Sequence, residues 1–317
     1  MKKIAVLLAT YNGEKYLTQQ IDSLFAQTMQ DFDIVIHDDG STDGTKDIIG
    51  EYRNKYSDRV EVIYGEPTGS PMNNFMMMLS MVEADIYLLC DQDDVWFPGK
   101  IEKSVNALID LENTVDRPDE VPAAVFTDMQ VVDENLNKIS DSFIRYIGRS
   151  PFNTAYTQIL IDNPAAGCTM CFNRVLRDLV ISAKNVDWDN VPMHDAWILE
   201  LAACTGVVKA IDEPLSYYRQ TGHNNMGAET ETESDKLSRN VELATSGSFL
   251  DRKKAFINEA RLFAKEVIKV DAIPADKRKV LEKFSKIERY PKLFRMAFYR
   301  RHNFTRVSHN FWMRLWV

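Results

Sequence analysis

Five apolar residues, Ile86-Tyr87-Leu88-Leu89-Cys90, run directly into Asp91-Gln92-Asp93-Asp94, and no other stretch restricts the fold as much. The run reads as a buried strand, and Pro98-Gly99 stops extended structure soon after Val95-Trp96-Phe97. Three carboxylates therefore stand together at the carboxyl end of a central strand. In a low-dielectric crevice, like charges this close force a proton onto one of them unless a cation neutralises them. Hard oxygen ligands suit magnesium or manganese, and a divalent ion bridging to a phosphate resolves the repulsion. A solvated acidic loop is the plainer alternative, and the neighbouring sequence decides against it.

That neighbouring sequence alternates strand-like and helix-like segments. Ile4 to Ala9 reads as a strand, Tyr16 to Gln27 as a helix with apolar spacing through Leu17, Ile21, Leu24 and Phe25, and Phe32 to His37 as a second strand. Lys46 to Tyr56 reads as a helix capped by a Ser, Thr or Asp of the preceding turn. Val60 to Tyr64 is a third strand and Asn73 to Val82 a helix. The pattern predicts an α/β fold, Rossmann-like, with a doubly wound, mostly parallel sheet flanked by helices. Ligands of such sheets bind outside the carboxyl ends of the strands. Thr10-Tyr11-Asn12, Asp38-Asp39 and Asp91 to Asp94 all fall there. Further on, Val125 to Val132 reads as a strand, Val175 to Ser182 and Met193 to about Cys204 as helices, and Val207 to Ile211 and Leu215 to Arg219 as two short strands. Ala228 to Ser234 reads as a loop, and helix formers dominate after it.

The chain of 317 residues is 45% hydrophobic and 27% charged, enough to bury a full core. It shows no transmembrane run and no signal peptide, and its four cysteines, Cys90, Cys168, Cys171 and Cys204, read as structural thiols in a reducing cytosolic setting. Cys168-x-x-Cys171 alone is a weak redox or zinc signal. The net charge of −9 hides a division: residues 250–317 hold 18 Lys+Arg against 7 Asp+Glu, +11, which leaves 20 against 40, −20, for residues 1–249. Two regions of opposite charge face different partners.

Three ordered segments, Leu8-Ala9-Thr10-Tyr11-Asn12-Gly13, Asp38 to Thr45 and Asp91 to Pro98, closely resemble the family 2 glycosyltransferases of the GT-A fold. Met193-His194-Asp195, Tyr218-Arg219-Gln220 and Asn224 to Gly227 are similar to the bacterial rhamnosyltransferase-like branch. The resemblance covers residues 1 to about 228. It implies a GT-A catalytic domain over 1–228, with 1–100 the nucleotide-binding half and 101–228 the acceptor half, followed by a helical extension, 229–317. It also implies an inverting sugar transfer from a nucleoside diphosphate donor. Thr10, Tyr11, Asn12 and Asp39 then line the nucleoside pocket, with Asp39 on the base. Asp93 ligates Mn²⁺ or Mg²⁺, Asp91 sits nearer the ribose or a metal-bound water, and Asp94 assists. Asp195 is the base that deprotonates the acceptor, oriented by His194. Between its helix N-terminus and burial beside Trp197, the winning influence on its pKa is not readable from sequence. Where the branch has a histidine after Tyr-Arg-Gln, this chain has Thr221 and then His223, which leaves metal ligation by His223 open. Asn73, Asn74, Gly167, Trp197 and Arg219 are further candidate donor or acceptor contacts.

From Asp251 onward, Phe294, Phe298, Tyr299, Phe304, Phe311, Trp312 and Trp316 interleave with Lys292, Arg295, Arg300, Arg301, Arg306 and Arg314. That composition suits contact with an anionic membrane surface by an enzyme acting on a lipid-linked acceptor. Packing on the catalytic domain or on a second copy is the competing reading. The acidic main body argues against nucleic acid. The donor expected from the branch is dTDP-rhamnose, with a UDP-sugar second; the product is a growing surface polysaccharide or lipid-linked glycan, made at the inner face of the membrane. A sugar nucleotidyltransferase would need a Gly-rich basic loop after the first strand, and Thr10-Tyr11-Asn12-Gly13-Glu14 is not one. A non-catalytic membrane-associated scaffold is opposed by intact acids at 39, 91, 93 and 195.

Overall fold

The computed structural model describes residues 2–221 and 248–307, the side chains of 248–254 excepted. Four parallel strands, β1 (Ile4–Thr10), β2 (Asp33–Asp38), β3 (Val60–Ile63) and β4 (Ile86–Asp91), lie in the order β3-β2-β1-β4. The crossovers are α1 (Leu17–Phe25), α2 (Thr45–Lys55) and α3 (Pro71–Met81). Alternation along β1 sends Ile4, Val6 and Leu8 into the core under Leu17, Ile21 and Leu24, and Ala5 and Leu7 into the opposite core with Phe75. Both faces are covered, as parallel strands require.

The second half of the sheet is mixed. β5 (Val95–Trp96) and α4 (Lys100–Glu112) precede β6 (Ala123–Val132) and β7 (Lys138–Ser140). Two short helices, α5 (Phe143–Tyr146) and α6 (Tyr156–Asp162), and a 3₁₀ turn, Gly167–Thr169, lead to β8 (Met170–Asn173). β8 lies antiparallel between β4 and β6. α7 (Arg174–Ser182) and α8 (His194–Thr205) then lead to β9 (Val207–Arg219), parallel to β6. The α/β reading with a mostly parallel sheet therefore holds, the antiparallel pairings being the short ones of β5, β7 and β8. β9 is one strand where two were expected. Its ladder with β6 slips in register around Asp128, opposite Ile211 to Pro214, and absorbs the interruption. The α2 cap also differs: its N-cap is Gly44, and Asp43 accepts from Thr45 N at 3.1 Å and Glu14 N at 3.1 Å instead.

After residue 247 come α9 (Ser248–Val267), α10 (Ala275–Ser285) and α11 (Lys292–Arg301). They share one core with α6 and α8: Trp197 of α8 packs at 5.5 Å against Trp188 and at 6.3 Å against Phe263 of α9. Phe284 stacks on Phe304 at 4.5 Å, with Phe298 and Tyr299 around them. Phe298, Tyr299 and Phe304, expected in an interfacial segment, are thus buried as packing residues. Leu293 and Phe294 remain exposed at 82% and 41%. Phe311, Trp312, Trp316 and Arg314, the loop at 228–234 and the segment 224–227 lie outside the described residues. Among the described residues, no helix is long and apolar enough to cross a membrane.

Phe263 is fully buried between α8 and α9. Phe263→Ala is expected to lower unfolding stability by about 3–5 kcal/mol, read from urea denaturation. A loss under about 1 kcal/mol would mean that α9 is not part of the cooperative core.

Candidate active site

Parallel register brings the strand ends into line: Thr10 pairs with Asp38 and Ala9 with Asp91. The side chain of Gln92 joins the first turn to the acid loop, accepting from Tyr11 N at 2.8 Å and donating to Tyr11 O at 2.9 Å. A Cβ on Gly13 would stand 2.3 Å from Gln92 Oε1, so the clamp requires glycine there. Asn12 adopts φ 48°, accepts from Thr42 N at 2.9 Å and gives its own N–H to Ser41 Oγ at 2.8 Å. The Thr10 hydroxyl is buried 3.2 Å from Asp38 Oδ1. Thr10 and Asn12 therefore build the turn, and Tyr11, 56% exposed, presents the open aromatic surface. Asp39 accepts from Thr68 N and from Gly69 N at 3.0 Å, which fixes its carboxylate while leaving each oxygen a second lone pair.

Three of the candidate contacts have structural partners within the fold. Asn74 is buried at 2% exposure with Oδ1 3.0 Å from His37 Nδ1, so it braces β2 against α3. Trp197 is fully buried in the core. Arg219 is buried and donates to Asp93 O at 3.0 Å, Glu134 O at 2.7 Å and Gln19 Oε1, with its guanidinium 4.5 Å over the Tyr16 ring. It holds the backbone of the acid loop. Asn73 also works locally, taking the Ser70 cap at 3.1 Å and donating to Thr68 O at 3.1 Å. His223 lies outside the described residues.

A buried lysine lies near enough for its charge to act on Asp91 and Asp94, and burial pushes its own pKa down. Lys100, the first residue of α4, is 1% exposed; its Nζ donates to Cys168 O at 2.8 Å and Ser216 Oγ at 3.0 Å, 4.2 Å over the Trp96 ring. Burial pushes the Asp91 and Asp94 carboxyls up, Asp94 far above the usual range with help from Asp93 and Asp91, while the Lys100 charge opposes both shifts. Asp93 is pushed up to about 6 by burial and then by Asp91. Asp94 is 2% exposed, and its Oδ2 lacks a hydrogen bond of good geometry among the described residues. The ligand atoms of Asp91, Asp94 and Cys168 lie within 4.8 Å of one another, a group that does not include Asp93. This donor set fits a divalent cation through its carboxylates, since burial drives the Cys168 thiol well up and keeps it a weak partner. All four cysteines are free and buried.

Asp195 occupies the second position of α8, beyond the N-cap residue Met193. It takes N–H groups from Ala196 and Gly167 and the Asn163 Nδ2 at 3.4 Å. Burial outweighs these bonds and the nearby Arg149 charge, and pushes its carboxyl up to about 6. His194 is buried with its ring 4.5 Å from Phe75, and neither ring nitrogen has a hydrogen-bond partner among the described residues. Burial pushes it down to about 3, so the ring is neutral at physiological pH. A Cβ on Gly167 would stand 2.5 Å from His194 Nε2, so the glycine makes room for this ring. Lys100, Arg149, Asn163 and the Gln92 clamp carried no signal in the sequence, because each acts on a residue far away in the chain.

The model of the family described as Glycosyl transferase family 2 matches residues 5–180. An uncharacterized glycosyltransferase of Nostoc sp. is 25% identical over 255 residues, 78% of this chain and 74% of that protein. The dTDP-rhamnosyl transferase RfbG of Shigella flexneri is 27% identical over 237 residues, 70% of this chain and 74% of that protein. Among solved structures, S. aureus TarS with UDP-GlcNAc has TM-score 0.54 at 19% identity, over 90% of this chain and 71% of that one. The mannosyltransferase PcManGT of Pyrobaculum calidifontis, with GDP-Man and Mn²⁺, has TM-score 0.52 at 15% identity, over 95% and 73%. These two likenesses show the GT-A fold.

If Lys100 balances ionised acids, Lys100→Met leaves buried charge unpaired and lowers stability by about 3–5 kcal/mol at neutral pH. Urea unfolding with a chelator present reads this directly. A nearly neutral substitution would mean that the cation-free acids are already protonated.

Proposed function

The chain belongs to glycosyl transferase family 2 and is a glycosyltransferase, and from that premise we propose an inverting, divalent-cation-dependent transfer of a sugar from a nucleoside diphosphate to a hydroxyl acceptor. The observation that supports this reading is the Gly167–Thr169 turn: the Gly167 N–H bonds Asp195, while the ligand atom of the next residue, Cys168, lies within 4.8 Å of those of Asp91 and Asp94. The same turn thus links the proposed base to the phosphate-side acids.

In this reading Tyr11 stacks on the pyrimidine and Asp39 accepts its ring N–H. Asp91, Asp93 and Asp94 hold Mn²⁺ or Mg²⁺, which when bound neutralises charge growing on the departing nucleoside diphosphate. Asp195 takes the proton of the acceptor hydroxyl as that oxygen attacks the anomeric carbon; the bond to the diphosphate oxygen breaks on the opposite face. Arg219 and Gln92 keep the acid loop in register with the nucleoside turn.

The Shigella relative's name supports dTDP-rhamnose as donor. A UDP-hexose or UDP-N-acetylhexosamine is the second reading, because thymine and uracil offer Asp39 the same ring N–H. The acceptor is a growing surface polysaccharide or lipid-linked glycan. Exposed Leu293 and Phe294 beside exposed Lys292, Arg300 and Arg301 support contact of α11 with the inner face of the membrane. The same exposed face would serve a homodimer.

A panel of dTDP- and UDP-sugars, with and without Mn²⁺, is expected to show nucleotide release and thermal stabilisation with one donor class only when the cation is present. Asp195→Asn is expected to lose at least about a hundredfold in rate with the fold retained. A carboxyl at about 6 is deprotonated above that pH, so the unmodified rate falls as pH drops through about 6. A cation-independent rate, or a flat acidic limb, would overturn the respective assignments.

A further inference from the structure

Asp195 is held from behind by a network that begins in the last described residues. Asp162 ends α6, and its carboxylate is buried between two guanidiniums, Arg149 Nε at 3.4 Å and Arg306 Nη2 at 3.0 Å. The next residue, Asn163, accepts Arg149 Nη1 on its carbonyl and Ala165 N on Oδ1 at 3.0 Å. That second bond fixes the amide orientation and turns Nδ2 toward Asp195 Oδ1, 3.4 Å away. The segment carrying Arg306 is docked on α6 twice more, with Thr157 Oγ1 donating to Asn303 O at 3.3 Å and Gln158 Nε2 to Thr305 Oγ1 at 3.0 Å. Arg306 also lies 4.5 Å over the Phe256 ring of α9.

We propose that residues 303–306, outside the segment matched by the family model, form a brace that acts through Asp162, Arg149 and Asn163 to position Asp195, with Arg306, Arg149 and Asn163 as positioning residues. The inference rests on Asp195 being the base. A buried carboxylate with two guanidiniums is tightly determined in place, and losing one partner leaves buried charge uncompensated. Without Arg306, Asp162 takes up Arg149 alone and draws its charge from Asp195; Asn163, bonded to Arg149, shifts with it. The charged groups facing Asp195 are Arg149 from the segment after α5 and Asp91 from β4, with neutral His194 beside it on α8. Loss of Arg149 charge or of the Asn163 donor disfavours the carboxylate, so the acidic limb of activity moves to higher pH.

The test compares Arg306→Met, Arg306→Lys and Asn163→Ala with the unmodified full chain. Nucleotide release from dTDP-rhamnose with Mn²⁺, or from UDP-GlcNAc where that donor is inert, is followed across about pH 5 to 8, alongside titration with dTDP or UDP. The brace predicts a rate lower by about tenfold to a hundredfold in Arg306→Met and Asn163→Ala, an acidic limb displaced upward, unchanged nucleotide affinity, and recovery in Arg306→Lys. An unmoved limb in both variants, even with reduced thermal stability, overturns it. Should Arg306→Met not fold, Asn163→Ala decides alone, since it leaves the ion pairs of Asp162 in place. Asp195→Asn run in parallel separates the two ideas: retained release sinks the base reading, whereas an inactive Asp195→Asn with unmoved limbs elsewhere sinks only the brace.

Discussion

The buried ammonium of Lys100 is the constraint on which the rest of the site depends. Burial and mutual repulsion push the acids at the end of β4 toward the protonated form, and nearby positive charge opposes this. Lys100 supplies it to Asp91 and Asp94 and Arg219 to Asp93, while the hydrogen bonds of Lys100 to Cys168 O and Ser216 Oγ tie α4 to the 3₁₀ turn and to β9. That turn begins at Gly167, whose N–H bonds Asp195. One side chain therefore bonds the segment that orients the base and places positive charge near Asp91 and Asp94. Trp96 closes over the ammonium and shields it from water, which strengthens every one of these interactions.

The strand ends and their acids were legible in the sequence because strand periodicity is local and parallel strands need only their own apolar runs. Thr10, Tyr11, Asp39 and the Asp91 to Asp94 loop could be placed by counting along each run. The direction of β8 could not, because Met170 to Asn173 is equally apolar in either sense. The internal partners of Asn74, Trp197 and Arg219 were not legible in the sequence, because a helix or strand turns adjacent residues to different faces and each partner lies far away in the chain. Asn74 faces His37, Trp197 faces the core, and Arg219 passes behind the acid loop. Lys100 was missed for the opposite reason: a lysine at the start of a helix reads as a surface residue.

The division of charge between the two parts of the chain takes on a different meaning once the packing is visible. Some of the positive charge in the extension is consumed internally: Arg306 meets Asp162, Lys277 donates to the carbonyls of Ala203 at 3.0 Å and Cys204 at 2.9 Å, and Arg261 pairs with Glu288. Lys277, at the C-terminal end of α8, also neutralises its negative dipole end. Other cations of the extension are exposed, Lys265, Lys279, Lys283, Lys286 and Arg289 among them, and on α11 the exposed Arg300 and Arg301 accompany exposed Leu293 and Phe294. The aromatic content of the tail is thus divided between a core that couples the extension to α6 and α8 and a much smaller exposed patch.

The placement of Asp195 two residues beyond the N-cap decides what kind of acid it can be. An N-cap carboxylate accepts the free N–H groups of the first turn and is held in the charged form at low pH, which makes it a poor proton acceptor. Here Met193 takes the cap position and offers no side-chain acceptor. Asp195 receives only part of that stabilisation, and burial against the Gly167 turn pushes it up to about 6. A carboxyl in that range is ionised at neutral pH yet basic enough to take a proton from a hydroxyl that is losing it to bond formation. Neutral His194 fits the same logic, because a positively charged imidazole beside Asp195 would hold the carboxyl down and weaken it as a base.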